Sequence, residues 1–162
     1  LLRTLADHLH SKGIVLEDCV KYNADDMMPE GALTSAQPSA AQWKDIEFGW
    51  EMAEAVGRLD IGQCVVVKDC VVVAVEAVEG SDDAIRRGGK LACGGAVVVK
   101  RFKPQQDRRF DLPAVGPGTI QAMIESGAAV LAIEAGKAVF LDREEAIEAA
   151  DEAGIAIVGV AR

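Results

Sequence analysis

Ala96-Val97-Val98-Val99-Lys100 leads into Arg101-Phe102-Lys103-Pro104-Gln105-Gln106-Asp107-Arg108-Arg109-Phe110-Asp111-Leu112-Pro113-Ala114-Val115, and Gly116-Pro117-Gly118-Thr119 follows. Ala96 to Val99 has pure strand character, apolar and dominated by β-branched valine, and Lys100 closes the run. The last four open a helix expected to run to Ser126 and stop at Gly127. Between strand and helix lies a loop in which Asp107 and Asp111 sit among Lys100, Arg101, Lys103, Arg108 and Arg109. Strand, loop and helix in succession are the working unit of a layered α/β fold.

The same alternation continues outward. Towards the C-terminus, Val130 to Glu134 and Ala138 to Leu141 read as a hairpin around Ala135-Gly136-Lys137. Asp142 then caps a helix Arg143 to Ala153, Gly154 stops it, and Ile155 to Val160 is a last strand. Towards the N-terminus, Ser81 starts a helix with Asp82 and Asp83 in its first turn, weakened or ended by Gly88-Gly89. Before it, Cys64 to Val67 and Cys70 to Ala77 form a hairpin around Lys68-Asp69. Ser39 caps a helix to about Arg58, with Trp43, Ile46, Trp50 and Ala53 as its buried stripe. Residues 23–40 read as a linker, Ile14 to Val20 as a short strand, and Leu1 to Ser11 as a helix with an apolar face of Leu2, Leu5 and Leu9 and a stop at Gly13. The expected fold class is α/β, a layered domain with a mixed β-sheet flanked by helices. The expected division is a remnant of a preceding α/β domain (1–22), a linker (23–40) and a catalytic-type α/β domain (41–162). The sequence begins at Leu1, in what reads as the middle of a helix, so a natural start further upstream is expected.

Composition narrows the functional classes. The 162 residues carry 26 acids and 17 bases, a net charge of −9, which argues against nonspecific nucleic-acid binding while leaving room for one basic pocket. Half the residues are apolar, too many for a disordered chain. No run approaches the roughly 18 apolar residues of a membrane span. Cys19, Cys64, Cys70 and Cys93 form no Cys-x-x-Cys pair and read as buried free thiols in a reducing compartment. His8 and His10 point to different faces of a helix, and no Gly-x-Ser-x-Gly occurs, so neither a histidine metal pair nor a Ser/His/Asp set is expected.

Three stretches suit chemistry. Asp107 and Asp111 offer hard oxygens for Mg²⁺ or Mn²⁺, which bind through one or two carboxylates plus phosphate and water, while Lys103, Arg108 and Arg109 suit phosphate charge. The bland reading of this loop, solvated ion pairs worth about 0–1 kcal/mol each, stands level with it on charge pattern alone. Glu76 to Asp82 places carboxylates at a strand end and a Gly80-Ser81 step at a helix start, where α/β folds bind ligands; an ordinary cap by Ser81 explains the same pattern. Gly116-Pro117-Gly118-Thr119 lacks P-loop spacing and is a weak phosphate signal.

Four segments occur in one order: Leu59 to Gln63, Ala74 to Asp82, Lys103-Pro104-x-Gln106-Asp107-x-Arg109-Phe110-Asp111-x-Pro113-x-Val115-Gly116, and Ile133 to Lys137. Together, over about Asp45 to Val160, they resemble the C-terminal domain of LpxI-type UDP-2,3-diacylglucosamine pyrophosphatases. The third segment is the most specific. Residues 1–20 look like the last helix and strand of that family's N-terminal domain. Leu91 to Gly95 and Arg101-Phe102 depart from the family pattern, in packing more than in chemistry. The resemblance implies a Gram-negative, cytoplasmic enzyme of lipid A synthesis, peripheral to the inner membrane, that uses Mg²⁺ or Mn²⁺ to hydrolyse a lipid-linked nucleotide sugar to lipid X and UMP. It implies an essential aspartate, Asp107 or Asp111, serving catalysis and metal binding. Lys103, Gln106, Arg109, Glu79, Gly80, Ser81 and Lys100 are then the expected substrate contacts, with an N-terminal domain as partner and a homo-oligomer admissible. Two rivals stay open: a noncatalytic ligand-binding or interaction domain, and a phosphotransferase acting on a soluble nucleotide-linked substrate.

Overall fold

The computed structural model describes residues 2–161, with the side chains of Leu2 and Arg3 outside the description. The helices are α1 (Leu2–Ser11), α2 (Ala40–Arg58), α3 (Ser81–Leu91), α4 (Pro117–Ser126) and α5 (Arg143–Glu152). The strands are β1 (Gly31–Ala32), β2 (Cys64–Lys68), β3 (Val71–Val75), β4 (Val97–Lys100), β5 (Ala114–Val115), β6 (Val130–Glu134), β7 (Val139–Phe140) and β8 (Ala156–Val160). Six strands form one mixed sheet in the order β1-β8-β6-β4-β2-β3, while β5 and β7 pair separately. The sheet, with helices against it, is the layered α/β fold expected.

Side-chain alternation along the strands builds a core on each face of the sheet. On one face Val65, Val67, Val97 and Val99 pack with Ile46, Trp50 and Ala53 of α2. On the other, Val66, Val98, Leu131, Ile133 and Ile157 meet Ile85 of α3, Ile120 and Met123 of α4, and Ala146 and Ala150 of α5. The helix α2 begins with a full capping box between Ser39 and Gln42. Of its expected stripe, Ile46, Trp50 and Ala53 are buried and Trp43 is exposed. Asp45, also buried, accepts the backbone N–H groups of Asp69 (3.2 Å) and Cys70 (2.6 Å) at the β2–β3 turn, where both residues have positive φ. A carboxylate on α2 thereby fixes the hairpin over it.

Several local expectations are corrected. Ile14 to Val20 forms no strand; its end enters a 3₁₀ turn, Cys19–Lys21. Residues 23–40 are not all loop, because Gly31–Ala32 pairs antiparallel with β8 along the sheet edge. The second hairpin does not exist: β6 lies parallel between β4 and β8, and β7 pairs parallel with β5. Gly88-Gly89 does not end α3. A Cβ at Gly88 would lie 2.6 Å from Val66 Cβ, and one at Gly89 2.6 Å from the Ser126 carbonyl, so the two glycines bring α3 against β2 and α4. Neither Ser81 nor Asp142 caps its helix with its side chain; Gly80 and Asp142 hold the two N-cap positions through backbone conformation. All four cysteines are free, and Cys64 alone of them is buried. On α1, Leu5 is exposed and Leu9 half-buried, leaving Ala6 as the buried contact; Leu1 and the Leu2 side chain lie outside the described residues.

Candidate active site

β3, β4, β6 and β8 run in one direction, so their C-terminal ends share one edge of the sheet. Cys64 lies opposite Lys100 in the ladder, and Glu76 N–H donates to the Cys64 carbonyl at 2.9 Å. Glu76 and Lys100 therefore rise from neighbouring positions on the α3–α4 face, with Cys64 between them. Both are buried. Burial pushes the Cys64 thiol up to about 12, against an opposing pull from the Lys100 charge. The close approach depends on Gly62, where a Cβ would stand 2.1 Å from the Glu76 carbonyl oxygen.

Above this edge the N-termini of α3 and α4 converge, tied by Thr119 Oγ1 donating to Asp82 Oδ1 at 3.3 Å. An open pocket of about 360 Å³ lies there, lined by Glu79, Gly80, Ser81, Asp82, Asp83, Lys100, Ala114 and Thr119. Four of the expected substrate contacts, Glu79, Gly80, Ser81 and Lys100, thus come together. Gly80 adopts φ +88°, a left-handed conformation that glycine takes without strain. Ser81 Oγ donates to Glu76 Oε1 at 3.0 Å, and Glu79 accepts the Ala77 N–H (3.1 Å) and Arg87 (2.5 Å). Its own backbone N–H, then Arg87, hold the Glu79 carboxyl below the usual range.

The polar loop leaves this edge and returns to it. Lys100 Nζ donates to the Ala114 carbonyl at 2.8 Å, closing its two ends. At its start, Arg101 N–H donates to the Gln63 carbonyl (2.9 Å) and Phe102 N–H to Glu134 Oε2 (3.0 Å). Arg101 also stacks on Trp50, 4.8 Å from the ring centroid, and pairs with Glu54 at 2.9 Å. Lys103 Nζ holds Asp60 at 2.7 Å. The loop is anchored on both sides of the sheet.

Within the loop the two aspartates have different surroundings. Asp107 Oδ1 accepts the N–H (3.1 Å) and Nε (2.9 Å) of Arg109, and Oδ2 accepts Nη2 at 2.6 Å. This chelate lifts the Arg109 guanidinium above its ordinary range, through the hydrogen bonds to Asp107 first. Asp111 is exposed, and its Oδ1 accepts Gln106 Nε2 at 3.3 Å. Asp107, Asp111, Lys103, Gln106 and Arg109 do not line the α3–α4 pocket; they are joined to it through Gln63 and Glu76. In the sequence Glu76 stood out only as one of several carboxylates in the 76–82 stretch, and Gln63 only as the end of the Leu59 to Gln63 segment. The usable signal for Glu76 was an acid at the inward parity of a strand whose preceding inward residue, Ala74, is buried. No group of three or more His, Cys, Asp or Glu residues among the described residues is placed to hold a metal ion by itself.

Residues 29–158 match the LpxI C-terminal domain family. The chain belongs to this family. It is 37% identical to the UDP-2,3-diacylglucosamine pyrophosphatase LpxI of Caulobacter vibrioides, across 99% of this chain and 60% of that protein. The LpxI-family chain thus spans less than two thirds of the length of this relative. A more distant likeness, 28% identity over 77% of the chain, covers 22% of the bifunctional purine biosynthesis protein PurH of Bacillus cereus. Among the described residues no helix is long and apolar enough to cross a membrane.

Proposed function

We propose that the protein carrying this chain hydrolyses UDP-2,3-diacylglucosamine to lipid X and UMP. The observation that carries this reading is the match to the LpxI C-terminal domain family; the choice of Asp111 rests on its being an exposed carboxylate on a loop pinned at both ends, with only Oδ1 engaged among the described residues. Water attacks the α-phosphorus; the bond from that phosphorus to the bridging oxygen breaks, and the leaving phosphate stays on the acylated sugar. Asp111 orients the water and takes its proton. Lys103 turns from the exposed Asp60 to the pyrophosphate, and Arg109, still held by Asp107, adds charge beside it. The α3–α4 pocket is rich in acceptors, with Glu79, Ser81, Asp82 and Thr119, and suits sugar or ribose hydroxyls.

Mg²⁺ or Mn²⁺ fits this donor set, since such ions typically use one or two carboxylates and complete their shell with phosphate and water. Asp111 is the residue free to hold it; Asp107 joins only by releasing Arg109. Such an ion, when bound, polarises phosphoryl oxygen. Residues 1–22 belong to a preceding α/β domain, and 23–40 cross from it, adding β1 on the way. The acylated substrate places the enzyme at the cytoplasmic face of the inner membrane.

The test is UMP release by the full-length protein from UDP-2,3-diacylglucosamine and from its deacylated, soluble counterpart. Release from the acylated substrate, abolished by a chelator and restored by Mg²⁺ or Mn²⁺, is expected. Equal turnover of the soluble compound favours the soluble-substrate rival, and binding without turnover favours a noncatalytic domain.

A further inference from the structure

We infer that Gln106 is a positioning residue that aims Asp111 through a hydrogen-bonded chain reaching back to α3, and that it does not touch substrate. This rests on the reading that Asp111 carries the chemistry. Gln106 is buried although it lies in a polar loop whose neighbouring Pro104, Gln105, Arg108 and Asp111 are exposed. Its amide is engaged at both ends. Oε1 accepts the Lys103 N–H at 2.8 Å, while Nε2 donates to Gln63 Oε1 at 2.9 Å and to Asp111 Oδ1 at 3.3 Å. Only one amide orientation works, because the reverse would set NH₂ against the Lys103 N–H. Both protons of the amide are therefore spoken for, and none remains for a phosphate.

The chain behind Gln106 is also held. Gln63 donates its backbone N–H to Glu76 Oε2 at 3.0 Å and accepts Arg101 N–H on its carbonyl at 2.9 Å. Glu76, buried at the end of β3, accepts Ser81 Oγ on its other oxygen at 3.0 Å. Ser81, Glu76, Gln63, Gln106 and Asp111 thus form one connected run from the first turn of α3 to the loop. Two planar bonds of the Gln106 amide fix the direction of the third, and that third bond meets Asp111. Ligand-orienting partners of this kind typically matter about 10- to 100-fold.

Gln106→Glu separates the roles, because the carboxylate still accepts the Lys103 N–H but no longer donates to Gln63 or Asp111. In the full-length protein, kcat for UMP release is expected to fall about 10- to 100-fold with KM within about twofold. Gln63→Leu, which removes the acceptor that holds the amide, is expected to lower kcat in the same sense and decides the matter if Gln106→Glu does not fold. Wild-type kcat in either folded variant overturns the inference, as does a raised KM at unchanged kcat, the mark of a substrate contact. Undiminished turnover in Asp111→Ala sinks the underlying reading; an inactive Asp111→Ala beside a normal Gln106→Glu sinks this inference alone.

Discussion

Cys64 occupies the point where the core meets the polar edge: fully buried, opposite Lys100, and hydrogen-bonded through its carbonyl to Glu76. Its thiol is pushed from an ordinary 9.0 up to about 12 because a thiolate there would lose its hydration. Between those values the folded chain keeps a proton that the unfolded chain has released, so this group's contribution to stability is full below about pH 9 and declines as pH rises towards 12. The slope reaches at most about 1.4 kcal/mol per pH unit. Cys64→Ala lacks this slope, so its stability deficit relative to wild type, measured by urea unfolding, is expected to narrow between pH 9 and 10.5. A constant deficit across that range would contradict the burial account. For single residues, the motif around Asp107 and Asp111 was legible and the difference in their surroundings was not. Spacing sets both carboxylates in one loop, but whether an aspartate is chelated by Arg109 or left on the surface depends on the turn the backbone makes, closed here by Asp111 N–H donating to the Asp107 carbonyl at 2.8 Å.

The helix α3 shows what a local reading of an element misses. Two adjacent glycines cost helix propensity, about 1 kcal/mol each relative to alanine, and so read as a stop. In the fold they are contact surface: Gly88 lies on Val66, and Gly89 lies on Ser126, including its backbone. Gly88→Ala and Gly89→Ala gain propensity but force β2 or α4 to move, and overpacking of this kind costs about 1–3 kcal/mol. Net destabilisation in denaturant titration is expected for each; stabilisation of either would mean the helices yield without cost. The misread hairpin has a related cause. Ala135-Gly136-Lys137 carries ordinary turn chemistry, but the partner of β7 is β5, some 25 residues upstream. Nonlocal pairing leaves no mark on a turn. Ile14 to Val20 had the composition of a strand, yet the sheet edge beside β8 is taken by β1. Elements with a cap and a period, such as α2 with Ser39 and Gln42, were legible because their signals are local.

Across the whole fold, the alternation of strands and helices was enough to foresee a layered α/β sheet, and parallel β4, β6 and β8 share one C-terminal edge, where such folds commonly bind ligands. The pinned loop and the paired helix N-termini both stand on that edge, which is why residues as distant as Glu79 and Asp111 belong to one arrangement. What sequence patterning could not supply was the link between them, Glu76–Gln63–Gln106, since each member is an ordinary polar residue until the fold brings them within hydrogen-bond range. The proposed chemistry stands or falls on Asp111, and not Asp107, carrying hydrolysis at this edge. The direct measurement is kcat for UMP release from UDP-2,3-diacylglucosamine by full-length wild type, Asp111→Asn and Asp107→Asn under one set of conditions. Asp111→Asn is expected to lose at least about 100-fold in kcat, in the range of a removed general base. Asp107→Asn is expected to keep most of its turnover and to lose stability instead, as the Arg109 chelate weakens. Near-wild-type turnover in Asp111→Asn, or loss confined to Asp107→Asn, would contradict the claim.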